Sequence, residues 1–244
     1  MLFETPPPAE HSLQRFSQVP NPFVIEPPAW GLKSYLPGEE LLFNIVLCGQ
    51  AINYLSLVIY AWKNAFDREV GHGKADLCDV LQVSEEGEAS IYDVVGDNLA
   101  PHKKSTTVSV PTGPDRVLAL ETPLRLQDNG QAVTPEAFDV HRMFMAMVRR
   151  IALLHEFHCG EALPLDFVQI SEHAGFIDSR ADLQWLDWVR FSSRQQRRMH
   201  FGGVSGTLEL ANVPPIFNLL IAVASYSHIG KNATFGLGKI HLTR

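Results

Sequence analysis

Arg194, Arg197, Arg198 and His200 stand together in one short segment, followed at once by Gly202-Gly203. Guanidinium groups grip phosphate oxygens two at a time. An imidazole takes up and gives back protons near neutral pH. The set suits the binding of a phosphodiester and proton transfer at it. A second set closes the chain: Gly230, Lys231, Asn232, Gly236, Gly238 and Lys239. Glycines free the backbone for positive φ and close approach, and exposed N–H groups beside two ammonium groups make an anion cradle. A nucleotide-binding P-loop runs strand, glycine loop, Lys-Ser/Thr, helix. Here an apolar helix pattern comes first and a short strand last, so the order argues against a nucleotide-binding domain.

The remaining chemistry-bearing residues carry blander readings. His72 sits between Gly71 and Gly73 as a surface loop residue, and His11 lies in a polar N-terminal stretch. His155, His158 and Cys159 do not match standard zinc spacing and no second pair of ligands follows, so no metal is expected. Arg149-Arg150 fall opposite the apolar stripe of a helix pattern and read as a solvated face. Trp185, Trp188 and Phe191 could stack on bases, but their spacing fits packing in a core at least as well, and core packing is the preferred reading.

The elements that must position these groups occur twice in similar order. An apolar run (Leu41 to Cys48), a helix pattern (Ala51 to Phe66), Gly71-His72-Gly73-Lys74 and a strand-like stretch (Ala75 to Val83) form one copy. The other has a run Val204 to Leu210, a helix pattern Pro215 to Ser227, Gly236-Leu237-Gly238-Lys239 and Ile240 to Leu242. A repeated unit predicts two domains of one fold, with the boundary at Pro111, Gly113 and Pro114, giving domains 1–112 and 113–244. The second domain reads as a strand over Arg116 to Leu126 and a helix capped by Thr134-Pro135 and running to about His158. A strand near Phe167 to Ile170, a Trp-rich segment (Leu183 to Phe191), a basic hairpin and the second repeat copy follow. That order predicts an α+β ferredoxin-like (RRM-like) plan. The first domain shows only its second half, with one extended segment at Phe23 to Glu26.

Bulk properties set the compartment and the partner. No apolar run is long enough to span a membrane, and Met1 to Pro8 lacks the basic start and apolar core of a signal peptide. Three scattered cysteines give no disulfide framework, which points to the cytoplasm. The formal net charge is −7, with the excess of acids in residues 1–112. From 190 to 244 a single acid, Glu209, faces Arg190, Arg194, Arg197, Arg198, Lys231, Lys239 and Arg244. A local basic face on an acidic chain is the footprint of a polyanion partner.

Four stretches together resemble the RAMP superfamily of CRISPR proteins, and within it the CRISPR-associated endoribonuclease that cuts precursor crRNA. They are Leu2 to Pro6 with Asn21 to Pro28, Pro37 to Leu41, Ser192-Ser193-Arg194 through Gly202-Gly203, and Gly230 to Lys239. The resemblance implies tandem ferredoxin-like domains, CRISPR repeat RNA as partner, other CRISPR-associated proteins as further partners, and cleavage without metal or cofactor. With the basic segment and the glycine loop read above, RNA is expected on Arg194, Arg197, Arg198, Gly230, Lys231, Asn232, Gly236, Gly238 and Lys239. His200 is the catalytic candidate. In the family, the phrase resembling Leu2 to Pro6 follows a strand and a helix that often carries a catalytic histidine, and no position here matches it. The expectation is a chain without that helix, which binds repeat RNA but cuts it slowly or not at all. The alternative is a non-catalytic RNA-binding subunit of a CRISPR complex.

Overall fold

The computed structural model describes residues 19–28, 34–70, 73–192 and 196–243. In chain order the elements are β1 (Phe23–Glu26), β2 (Asn44–Leu47), α1 (Leu55–Arg68), β3 (Leu81–Ser84), β4 (Gly87–Ser90), β5 (Tyr92–Asp93) and β6 (Asn98–Leu99). Then come β7 (Arg116–Leu124), β8 (Gln127–Asp128), β9 (Gln131–Ala132), α2 (Val140–His158) and α3 (Phe167–Ala174). The last are β10 (Asp178–Leu186), β11 (Val189–Ser192), β12 (Arg197–His200), β13 (Gly203–Ala211), α4 (Pro215–Ser227) and β14 (Ile240–Leu242). The chain divides into two compact units, Met1–Gly49 with Val110–Arg244, and Gln50–Ser109.

In the larger unit four antiparallel strands lie in the order β10-β13-β7-β14. Each strand–helix–strand crossover skips one position: β13 lies between β7 and β10, and β7 lies between β13 and β14; this is the ferredoxin-like arrangement. Leu208 pairs with Leu118 and Ala181, and Gly206 with Leu120 and Leu183. Partners in register share a face of the sheet, and this face meets α2 and α4. Leu118, Leu124, Met143, Phe144, Leu208 and Phe217 are fully buried there, with the Phe144 and Phe217 rings 4.7 Å apart. The opposite face carries Thr207, Glu209, Arg180 and Asp182, all exposed, and offers no aromatic at these positions. In the same unit β1 pairs antiparallel with β2, and Val24 is fully buried.

The smaller unit is built from α1 and two hairpins, β3–β4 and β5–β6. Ile59 and Phe66 form the buried side of α1, Trp62 packs on Phe66 at 5.6 Å, and Lys63 bonds Asp97 at 2.9 Å.

Several sequence expectations need correction. The expected strand at Phe167 to Ile170 is helix α3, because the Asp166 carboxylate accepts from Val168 N and Gln169 N and so caps a helix start. Thr134-Pro135 opens only a short 3₁₀ turn, Pro135–Ala137. The true cap of α2 is Asp139, which accepts from His141 N at 3.0 Å. The strand missing from the expected plan is β10, whose polar Asp178 to Asp182 half hid it from a hydrophobicity reading. In the first repeat copy, the strand after the glycines shrinks to β3, which pairs with its sequence neighbour β4.

Truncation of Phe217, at the centre of the buried layer, removes a ring that no neighbour can replace. Phe217→Ala is expected to cost about 3–5 kcal/mol, read as a lower urea midpoint; a loss below about 1 kcal/mol would contradict the packing described.

Candidate nucleic-acid interface

One end of the four-stranded sheet collects the residues that the sequence kept apart. Phe201-Gly202 connects β12 to β13, which Gly203 opens. A Cβ on Gly202 would lie 2.6 Å from Trp185 Cζ2 and 3.0 Å from Asp187 Oδ1, and one on Gly203 would lie 2.6 Å from Leu124 O. The backbone here is wedged against β7 on one side and an indole and a carboxylate on the other. Arg125, just past the end of β7, donates from Nη1 to Gly202 O at 2.7 Å. Asp187 Oδ1 lies 4.0 Å from His200 Nδ1, with both groups exposed. At that distance and exposure the pair adds little stability.

The β11–β12 hairpin pairs Val189 with His200 and Phe191 with Arg198. Arg198 and His200 are two residues apart on one strand, so they share a face, and both are exposed. Arg197 pairs with Ser192. Arg194 lies outside the described residues. At the hairpin's base, Phe201 is buried between Trp188 at 5.2 Å and Phe235 at 6.1 Å.

The C-terminal loop arrives at the same place. Lys231 N donates to Arg125 O at 2.9 Å, which seats the exposed Lys231 beside the residue that holds Gly202. Asn232 is left-handed at φ 64 and starts the 3₁₀ turn Ala233–Phe235, which ends on Gly236. The expected cradle of open N–H groups is closed. Gly236 N donates to Ala233 O, Gly238 N to Pro123 O and Lys239 N to Thr122 Oγ1. Thr122 Oγ1 in turn donates to Gly236 O at 2.8 Å. The glycines therefore serve close approach: at Gly238, φ is 69 and a Cβ would lie 1.8 Å from Ile229 O. Gly230 is likewise pressed against Arg125 O.

Under the loop lies an ionic network that the sequence did not announce. The buried His228 faces Leu237 O at 3.0 Å and Glu26 Oε1 at 2.9 Å through its two ring nitrogens. Lys239 Nζ lies 3.5 Å from both Glu26 and Glu121. Burial alone would raise the Glu26 carboxyl, but hydrogen bonds from His228 and Asn44 and the charge of Lys239 outweigh it and hold it at about 2. The half-buried Lys239 thus has two carboxylate partners, whereas Lys231 presents its charge to solvent.

Other candidate groups are used structurally. Arg150 is not on a solvated face: its Nε donates to Ser227 O at 2.8 Å, and burial lowers it to about 10. His155 and His158 bond two different backbone oxygens, Glu161 O and Pro20 O, so they do not converge. His11 and His72 lie outside the described residues. Sequence reasoning missed Arg125, Asp187, Glu26, Thr122 and His228, whose partners lie from about ten to over two hundred positions away in the chain.

The sheet order defines a ferredoxin-like α+β protein with a basic rim at one end of its sheet. The family model for the CRISPR-associated endoribonuclease Cas6 matches residues 118–240, just over half of the chain, and the chain belongs to that family. A second model, described as an N-terminal domain, matches residues 1–104. No curated protein matches the chain. Among solved structures, it is similar to a product complex of the Thermus thermophilus Cas6, at 14% identity and a TM-score of 0.58, over 95% of this chain and 83% of that one. It is similar to a second Cas6 product complex at 16% identity and a TM-score of 0.53, over 92% of this chain and 83% of the other. A chain of a partial Cas6-RT-Cas1–Cas2 complex matches at 13% identity and a TM-score of 0.56, over 91% of this chain and 38% of its own length. At these identities the likeness is one of fold, that of tandem ferredoxin-like domains.

Two outcomes test this geometry. Gly238→Ala is expected to cost well over the ~1 kcal/mol of a propensity change, because a Cβ there meets a carbonyl; a neutral thermal melt would refute the close approach. Glu26 has a folded pKa below its unfolded value, so its contribution is present above about pH 4.5 and lost as pH falls toward 2. The stability gap between the native chain and Glu26→Gln should therefore narrow over that window, by about 3 kcal/mol at most. A gap that stays constant from pH 6 to pH 3 would show that the network does not hold the carboxylate.

Proposed function

We propose that the chain binds CRISPR repeat RNA and cuts it without metal, by attack of a ribose 2′-OH on the adjacent phosphate. The observation that carries this reading is the shared face of Arg198 and His200 on a hairpin whose base meets Arg125 and Lys231. In this reading RNA phosphates lie along Arg194, Arg197, Arg198 and Lys231. Gly230, Asn232, Gly236 and Gly238 shape the loop that presents Lys231, and Lys239 adds the remainder of its field. The similar Cas6 structures were captured as product complexes, which supports the reading.

His200 is the general base. Its Nδ1 faces Asp187, which leaves Nε2 to accept the 2′-OH proton, and the carboxylate stabilises the imidazolium that results. The 2′-oxygen then bonds to phosphorus, and cations at Arg198 and Lys231 offset the charge of the phosphorane. The P–O5′ bond breaks, giving a cyclic phosphate and a 5′-oxygen that takes a proton from solvent. We keep the partition into domains 1–112 and 113–244, a cytoplasmic location, and assembly with other CRISPR-associated proteins as parts of the proposal. A structure similar to this chain belongs to a Cas6-RT-Cas1–Cas2 complex. Among the described residues no helix is long and apolar enough to cross a membrane.

A second reading, binding without fast cutting, draws on one observation. Among the described residues, His200 is the one histidine at the Gly202 cluster, whereas cleavage needs both a proton acceptor and a proton donor. Single-turnover cleavage of repeat RNA in EDTA decides between the two. Cleavage that falls about 10²–10⁴-fold in His200→Ala with affinity retained supports the first. Tight binding with no cutting by the native chain supports the second. Lys231→Ala and Arg198→Ala should each weaken binding and lower the salt slope by about 0.7–0.9 for every phosphate left without its cation. A native chain with no salt-dependent RNA affinity would overturn both.

A further inference from the structure

Trp185 belongs, by strand register, to the core-facing side of the sheet, since it pairs with Val204, which is 1% exposed. Yet it is 41% exposed. It sits near the end of edge strand β10, and the core at this end is closed by other rings: Phe201, 2% exposed, packs between Trp188 and Phe235. The indole instead lies against the Gly202 backbone, so closely that a Cβ there would meet Cζ2 at 2.6 Å. Gly202 is not in the left-handed region, so positive φ does not explain the glycine; room for the indole does.

The groups around that ring are those that recognise a nucleotide. Arg125 donates through one nitrogen to Gly202 O, and a guanidinium has five N–H donors. Lys231, exposed, is carried on Arg125 O. The Asp187 carboxylate flanks the same glycine. An aromatic face beside two cations is how proteins hold single-stranded nucleic acid, the ring taking a base and the cations its phosphate.

We propose that Trp185, seated on Gly202, is a stacking platform for one unpaired RNA base, whose phosphate is held by Arg125 and Lys231. The proposal rests on the RNA-binding reading above and assigns a subsite within it. Stacking is not ionic, so its loss changes affinity without changing the salt slope, unlike the loss of Lys231.

The test uses the full chain and repeat RNA carrying 2-aminopurine at successive unpaired positions. Native protein should quench the fluorescence at one of these positions. Trp185→Leu should abolish that quenching and weaken binding about 5- to 150-fold with the salt slope unchanged, and Trp185→Phe should retain part of both. Gly202→Ala, which leaves the indole intact but pushes it aside, should behave as Trp185→Leu does. If the native chain binds repeat RNA with Lys231-dependent affinity while Trp185→Leu and Trp185→Phe leave quenching and affinity unchanged, the stacking proposal falls and the RNA reading stands. If the native chain binds no repeat RNA, the reading and the subsite fall together.

Discussion

The close approach of the C-terminal loop to the end of β7 is the constraint on which the rest depends. Gly238 N donates to Pro123 O while Gly238 O accepts from Ile229 N, so one glycine ties the loop both to the sheet and to its own start just past α4. No side chain fits there, because a Cβ would overlap Ile229 O. Once Gly238 is seated, β14 falls into register with β7, pairing Ile240 with Leu120, and the sheet acquires its outer strand. The same seating places Lys231 on Arg125 O and so brings the tail to the hairpin turn. A backbone-to-backbone fit thus sets both the topology and the site.

Charge is divided according to that fit. Buried ionic groups are costly unless they are paired and hydrogen-bonded, and the loop's inner side meets this requirement with Glu26, His228 and Lys239 joined in one network. The network joins β1, near the start of the described chain, to the final turn. Its outer side leaves Lys231 open, next to a hairpin that shows Arg198 and His200 on one face. An acidic protein can therefore carry a local cationic edge.

The ferredoxin-like plan of the second half was legible because its helices and inner strands bury long apolar runs. Val204 to Leu210, Pro215 to Ser227 and the V-L-A-L-E of β7 could hardly lie elsewhere. The edge strand β10 was not legible: with only one neighbouring strand and a solvent-facing half, Asp178 to Asp182 are polar, and their strand character comes from pairing with β13. The α3 segment was misread for a related reason, since eight residues are too few for a helical period to outweigh an apolar start. In that case the Asp166 cap was decisive.

The sequence by itself determined which residue types were available to bind phosphate and where glycine was required, because composition and spacing are local facts. It also carried the family resemblance. The tertiary structure alone decided which glycine amides face inward, which lysine is neutralised, and that Arg125, Asp187 and Trp185 meet at Gly202. Apart from the local bond from Gly236 N to Ala233 O, these contacts link residues between about fifteen and over a hundred positions apart in the chain. No local pattern specifies them, since pairing at that separation is fixed only when the strands between have taken their places.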